Sequence, residues 1–260
     1  MPMPRRRVRG FCVCAASMAV AVPAAPAVPA QAVTTQEVEF TGRYAKRDRN
    51  KQRGGLSLRT TIRITDNAAP APAQLTHTTL RFPKGAVLNA RFFPKCDPAK
   101  LRARGPRACP SRSKIGSGRA IGLAPPIVTD PVNTKVTLFN GTLQGRNPSI
   151  IIYAIPDLGP VMTLPGVLRS GRGTPYGYVL DTPVPPIKTL PNAPDASVTL
   201  FDATTRDVTV RRRGRTIHYI DSPVLCDGTF FMLDGQFTYQ ETTKVDVLER
   251  FTLRGGPRCP

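Results

Sequence analysis

Two histidines, His77 and His218, and four cysteines, Cys96, Cys109, Cys226 and Cys259, are the residues beyond position 32 best suited to chemistry. A serine hydrolase would need one of the histidines as its base. His218 lies between Ile217 and Tyr219, with Asp221 and Ser222 close behind, and this is the one catalytic-looking cluster in the chain. On a strand, neighbouring side chains point to opposite faces, so Asp221 and Ser222 do not both meet the imidazole. The cysteines contain no C-x-x-C pair, and two histidines are too few for a three-histidine centre, so zinc is not expected. Gly116-x-Gly118-x-x-x-Gly122 is one residue too long for a dinucleotide fingerprint, and Gly116-Ser117-Gly118 is no nucleophile elbow. Those glycines are expected to let a strand bend or bulge. No catalytic, cofactor-binding or metal-binding residue is assigned. A carboxylate pair distant in sequence would leave no local trace, so a secreted hydrolase with a carboxylate or histidine site stands as the alternative reading.

The first 32 residues read as a signal peptide. Arg5, Arg6, Arg7 and Arg9 precede an apolar run from Phe11 to Val22, followed by a Pro/Ala stretch with Ala30-Gln31-Ala32. The run is shorter than the ~18–20 residues of a spanning helix. Cleavage is expected after Ala32, leaving one secreted β-rich domain over 33–260 without a transmembrane segment. Cys12 and Cys14 fall inside the signal, and the other four cysteines follow residue 90. In an oxidising compartment they are expected to form disulfides, and loop entropy favours Cys96 with Cys109 and Cys226 with Cys259.

Across the whole chain 37 Lys+Arg face 17 Asp+Glu; the signal holds four of the arginines and no acid, which leaves 33 against 17, a formal +16. Such an excess attracts polyanions. Two clusters are assigned to polyanion binding: Lys46, Arg47, Arg49, Lys51 and Arg53 in one loop, and Arg211, Arg212, Arg213 and Arg215 around a turn. The expected partner is an anionic envelope polymer or polysaccharide, bound without specific nucleic-acid readout because no aromatic platform accompanies the charge. The alternative is compositional, since a GC-rich genome also enriches Ala, Pro and Arg.

The elements that must position these residues are short strands. Leu56 to Thr65 places Leu56, Leu58, Ile62 and Ile64 on one face at period two. Further strands are expected at Val33 to Phe40, Leu75 to Phe82, Ile115 to Leu123, Val132 to Leu143, Val161 to Leu168 and Tyr176 to Asp181. Five more follow from Ser197 onward. Asn140-Gly141 reads as a hairpin turn. Pro148 to Ile155 carries a continuous apolar run, as in a strand buried on both faces. The segment between Cys96 and Cys109 is expected to hold one helical turn. Val136 to Thr142 (VTLFNGT) recurs as Val198 to Thr204 (VTLFDAT), either as equivalent strands of two related halves or by coincidence. The fold expected is all-β: an antiparallel sandwich, or two small packed subdomains divided at the Pro-rich stretch 182–194.

Cys96, Cys109-Pro110 and Ser113-x-Ile115-Gly116-x-Gly118, together with Ser222-Pro223-x-x-Cys226-x-Gly228, resemble a pattern in uncharacterised secreted proteins of high-GC Gram-positive bacteria. The resemblance implies export, disulfides and a β architecture, and no reaction. The expectation is a secreted or envelope-associated, non-enzymatic β-protein.

Overall fold

Alternation at period two decides the architecture. In the strand Leu56–Asp66 (β2, after β1 at Thr34–Tyr44), Leu56, Leu58, Ile62 and Ile64 are buried while Arg59 and Arg63 are exposed. The structure is a computed structural model, and it describes residues 34–44, 54–66, 69–171, 176–191, 194–221, 230–239 and 243–254. Residues 1–33, the stretch from Lys46 to Arg53, Ser222, Cys226 and Cys259 lie outside the described residues.

The strands that follow are β3 (Leu75–Pro83), β4 (Val87–Leu88), β5 (Lys114–Ala124), β6 (Val128–Gln144), β7 (Asn147–Pro156), β8 (Met162–Ser170) and β9 (Tyr176–Pro183). The series ends with β10 (Ser197–Thr205), β11 (Thr209–Arg212), β12 (Arg215–His218), β13 (Ile220–Asp221), β14 (Phe230–Tyr239) and β15 (Thr243–Arg254). The all-β expectation holds. The arrangement differs from a sandwich or a pair of subdomains: one sheet closes on itself in the order β1-β15-β14-β3-β9-β8-β7-β6-β5-β10-β2. Strict antiparallel alternation cannot close a ring with an odd number of strands. One neighbouring pair must run parallel, and it is the first and last strands, β1 and β15. Residues on either side of 182–194 belong to this one sheet, so that stretch is a loop of a single unit, Ala32–Pro260, and no boundary.

Asn140-Gly141 is the second correction. Both residues lie inside β6, and the turn to β7 comes at Gly145-Arg146, where Gly145 has φ +62°. Asn140 is fully buried and its carboxamide is consumed by tertiary contacts. Its Nδ2 reaches the carbonyls of Ala90 (3.0 Å), Phe93 (3.3 Å) and Pro94 (3.0 Å), and its Oδ1 accepts from the Tyr219 hydroxyl at 3.3 Å. Gly141 is required by close approach, since a Cβ there would sit 3.0 Å from Ile151 Cγ1 and closer still to Ser149 Oγ. The turn at Arg213-Gly214 is where the sequence places it, with φ +48° and +73°.

Two cores result. One is the barrel interior. The other lies outside the wall, where Phe139, Ile151 and Tyr153 of β6 and β7 are covered by the disulfide-bonded segment Cys96 to Cys109. Asp97 caps the helix Pro98–Arg104 (α1) by accepting from Ala99 N (2.8 Å) and Lys100 N (3.3 Å), and Leu101 drops onto the wall with no exposed surface. Ile151 and Tyr153 therefore face this outer core while Ile150 and Ile152 face inward, which is why the run in β7 is apolar throughout. The VTLF echo does not mark equivalent strands. A bulge between Val198 and Leu200 shifts the register, so Phe201 lines the interior whereas Phe139 packs outside.

Replacement of Asn140 by Ala removes the carboxamide from the carbonyls of Phe93 and Pro94 and from the Tyr219 phenol, while Ala90 O keeps its bond from Phe93 N. The expected loss is about 3 kcal/mol in urea-induced unfolding, with β-sheet circular dichroism retained.

Candidate functional site

The inward positions of eight barrel strands, together with Leu88 of β4, Ile220 of β13 and the Pro-rich loop, line a hollow of about 200 Å3. Leu58 and Ile62 of β2, Leu80 of β3, Val136 and Leu138 of β6, Ile150 and Ile152 of β7 and Phe201 of β10 all contribute to it. Several of these side chains are only half-buried despite facing inward, among them Leu80, Ile150, Ile152, Val198 and Phe201. Among the described residues, the inward side chains do not reach across and fill the barrel. The polar groups among the described lining residues are hydroxyls alone: Thr60, Thr78, Thr134, Thr182, Thr189, Ser197 and Thr205.

One end of the barrel is stoppered. Tyr219 has no exposed surface, packs edge-on against Phe93 at 5.2 Å, and hydrogen-bonds Asn140; burial pushes its phenol up from the ordinary value, so it stays neutral. β13 pairs with β4 beside it, and Asn89 Nδ2 donates to His218 O (2.9 Å) and Asp221 Oδ2 (2.7 Å). The opposite end is crossed by residues 184–191 and 194–196. Val184, Ile187, Thr189 and Ala196 turn into the hollow, and the loop is pinned by Ala196 N to Ile187 O (2.8 Å) and Lys188 Nζ to Asp195 (2.6 Å). The β7–β8 turn supports it, for a Cβ on Gly159 would lie 2.8 Å from Lys188 O. Leu190 of this loop, and Ile127 and Val161 of the turns at the same end, are exposed apolar side chains.

His218 is brought to Asp207, with Nδ1 to Oδ1 at 2.6 Å, and Asp221 instead serves Asn89. Gly55 lies so close to the imidazole that a Cβ there would overlap Nδ1. The ring is a buried structural group in the stopper wall. His77 is on the outer surface, paired with Asp181 at 2.5 Å across β3 and β9, and Arg169 approaches the same carboxylate at 3.5 Å. Among the described residues, no group of three His, Cys, Asp or Glu could hold a metal ion. The expected glycine bulges are present in β5, at Lys114/Gly116 and Gly122/Ala124. Gly118 also lets β10 approach, since a Cβ there would lie 2.1 Å from Asp202 O. Asp202 on the outer face of β10 is gripped by Arg59 of β2 through two bonds of 2.7 Å, which hold its carboxyl below the usual 3.8. The stability this pairing contributes is complete above the ordinary aspartate range and is lost as pH falls through the lowered pKa of Asp202.

Cys96 and Cys109 are joined as expected, with Cα atoms 5.0 Å apart. Arg211, Arg212, Arg213 and Arg215 are exposed on the β11–β12 hairpin, outside the barrel. Arg91 and Arg212 both lie over the Phe92 ring, at 4.5 and 5.9 Å. Among the described residues no helix is long and apolar enough to cross a membrane. The chain matches no protein-family model, no curated protein and no solved structure.

Neighbouring isoleucines on β7 report the hollow directly. Ile151 is packed on all sides, so Ile151→Ala should cost about 3 kcal/mol. Ile150 borders free space, so Ile150→Ala should cost about 1 kcal/mol. Chemical denaturation of the two variants measures the difference; equal costs would mean that the interior is filled.

Proposed function

We propose that this is an exported, non-enzymatic binding protein that carries a small apolar molecule inside its barrel. The observation that carries the reading is the hollow lined by half-buried aliphatic and aromatic side chains. A cavity of about 150 Å3 with such walls takes up benzene, so about 200 Å3 admits a molecule of one or two rings or a medium-length alkyl chain. The outer face of the described wall supports a role in water, for Arg59, Arg63, Arg119 and Lys135 are all exposed there. A membrane-spanning barrel needs the reverse, apolar outward and polar inward. The Cys96–Cys109 bridge fits an oxidising compartment, as do the Arg-rich start and the Ala30-Gln31-Ala32 site. The resemblance to secreted proteins of high-GC Gram-positive bacteria is in keeping with this and adds no activity.

A second reading rests on the basic hairpin. Arg211, Arg212, Arg213 and Arg215 project together near Arg91, and an anionic envelope polymer or polysaccharide would meet them first. Such contact would hold the carrier at the cell surface. The two roles occupy different parts of the molecule and are separable.

An uncharged naphthylamine dye whose emission rises in apolar surroundings tests the first role. Emission should rise on mixing, saturate at one dye per chain, and fall when Ala120, which lines the hollow, is replaced by Trp. Emission unchanged by the protein would refute it. Retention on heparin tests the second. It should weaken steeply as the Debye length shortens from ~10 Å at 0.1 M salt to ~3 Å at 1 M, and weaken again when the four hairpin arginines become Gln. Retention indifferent to both would assign the charge to composition.

A further inference from the structure

The chemistry of the wall narrows the ligand class. Every described side chain lining the hollow is aliphatic, aromatic, Gly, Pro, Met or a hydroxyl, and none carries charge. An anionic or cationic group placed there would lose its hydration without gaining a partner, a cost far larger than the burial of a short alkyl chain returns. A neutral hydroxyl or carbonyl oxygen is a different matter, because it needs only one hydrogen-bonding group.

Such a group is present. Thr189 is buried, it lines the hollow where the Pro-rich loop crosses the barrel end, and its Oγ1 has no hydrogen-bond partner in the protein. Buried hydroxyls are usually satisfied, so this one marks where a polar atom of a ligand is wanted. A threonine hydroxyl both donates and accepts, and so serves an alcohol or a carbonyl equally. Its position is held on both sides: the Lys188–Asp195 ion pair fixes the loop, and a Cβ at Gly159 would lie 3.2 Å from Thr189 Cα.

Resting on the carrier reading above, we infer that the hollow takes an uncharged, mainly hydrocarbon molecule bearing one hydroxyl or carbonyl oxygen, which hydrogen-bonds Thr189 Oγ1 at the Pro-rich end. Ionised fatty acids find no charged partner among the described lining residues, although the protein's basic surface attracts them.

Displacement of the naphthylamine dye by octanol, octane and octanoate at neutral pH tests the inference, with Thr189→Val and Thr189→Ser as variants. Octanol should displace the dye at least tenfold more effectively than octanoate. Thr189→Val should weaken octanol about fivefold, the worth of one hydrogen bond, and leave octane unchanged. Thr189→Ser, which keeps the hydroxyl, should bind octanol as the parent does and shows that the loop still folds. Octanoate as effective as octanol, or octanol affinity indifferent to Thr189→Val, would overturn the inference while the carrier reading stands. Failure of the dye and all three compounds to bind would remove the carrier reading itself, and this inference with it.

Discussion

A closed sheet has only one inside, and that constraint governs this protein. Closure forces every second residue of each barrel strand into a shared interior whose width is set by the number of strands. Eight strands make an interior that side chains just fill, and more strands leave room. With neighbouring strands ~4.8 Å apart, eleven at a common tilt give a barrel roughly 20 Å across, wider than two inward side chains can bridge. The hollow is therefore a consequence of strand number. The inward positions are apolar, mostly Leu, Ile, Val and Phe, with the smaller Ala120, Ala154 and Ala203 among them.

The ends of the barrel are closed differently. At one end a buried polar network centred on Asn140, Tyr219 and Asn89 locks the stopper through hydrogen bonds that would be costly to break. At the other end the closure is a proline-rich loop held, among the described residues, by the Lys188–Asp195 ion pair and by two backbone bonds, Val184 N to Thr76 O and Ala196 N to Ile187 O. Exposed ion pairs contribute about 1 kcal/mol or less. The weakly held end is also where Ile127, Val161 and Leu190 expose apolar surface and where Thr189 waits for a partner. Entry of an apolar molecule is cheapest there.

Much of the wall is legible in the sequence, because alternation is a local signal. Leu56, Leu58, Ile62 and Ile64 announce β2, and the unbroken apolar run of β7 announces burial on both faces. Asn140-Gly141 misleads for a physical reason: turn propensity is outweighed by three carbonyls and a phenol supplied from residues 46 to 79 positions away. Closure itself is invisible, since it depends on pairing the first strand with the last. The hollow is invisible too. Alternation tells which residues face inward, and says nothing of what stands opposite them. Thr189 carries no sequence signal at all; a threonine in a proline-rich loop is ordinary until its surroundings are known.

Xenon tests the central claim most directly, because it is apolar, uncharged and visible in a crystal without any assumption about the natural ligand. A crystal of the protein under xenon pressure should show ordered xenon inside the barrel, between Ile62, Leu80, Ile150 and Phe201. An interior closed by those same side chains, with no xenon density between them, would contradict the account.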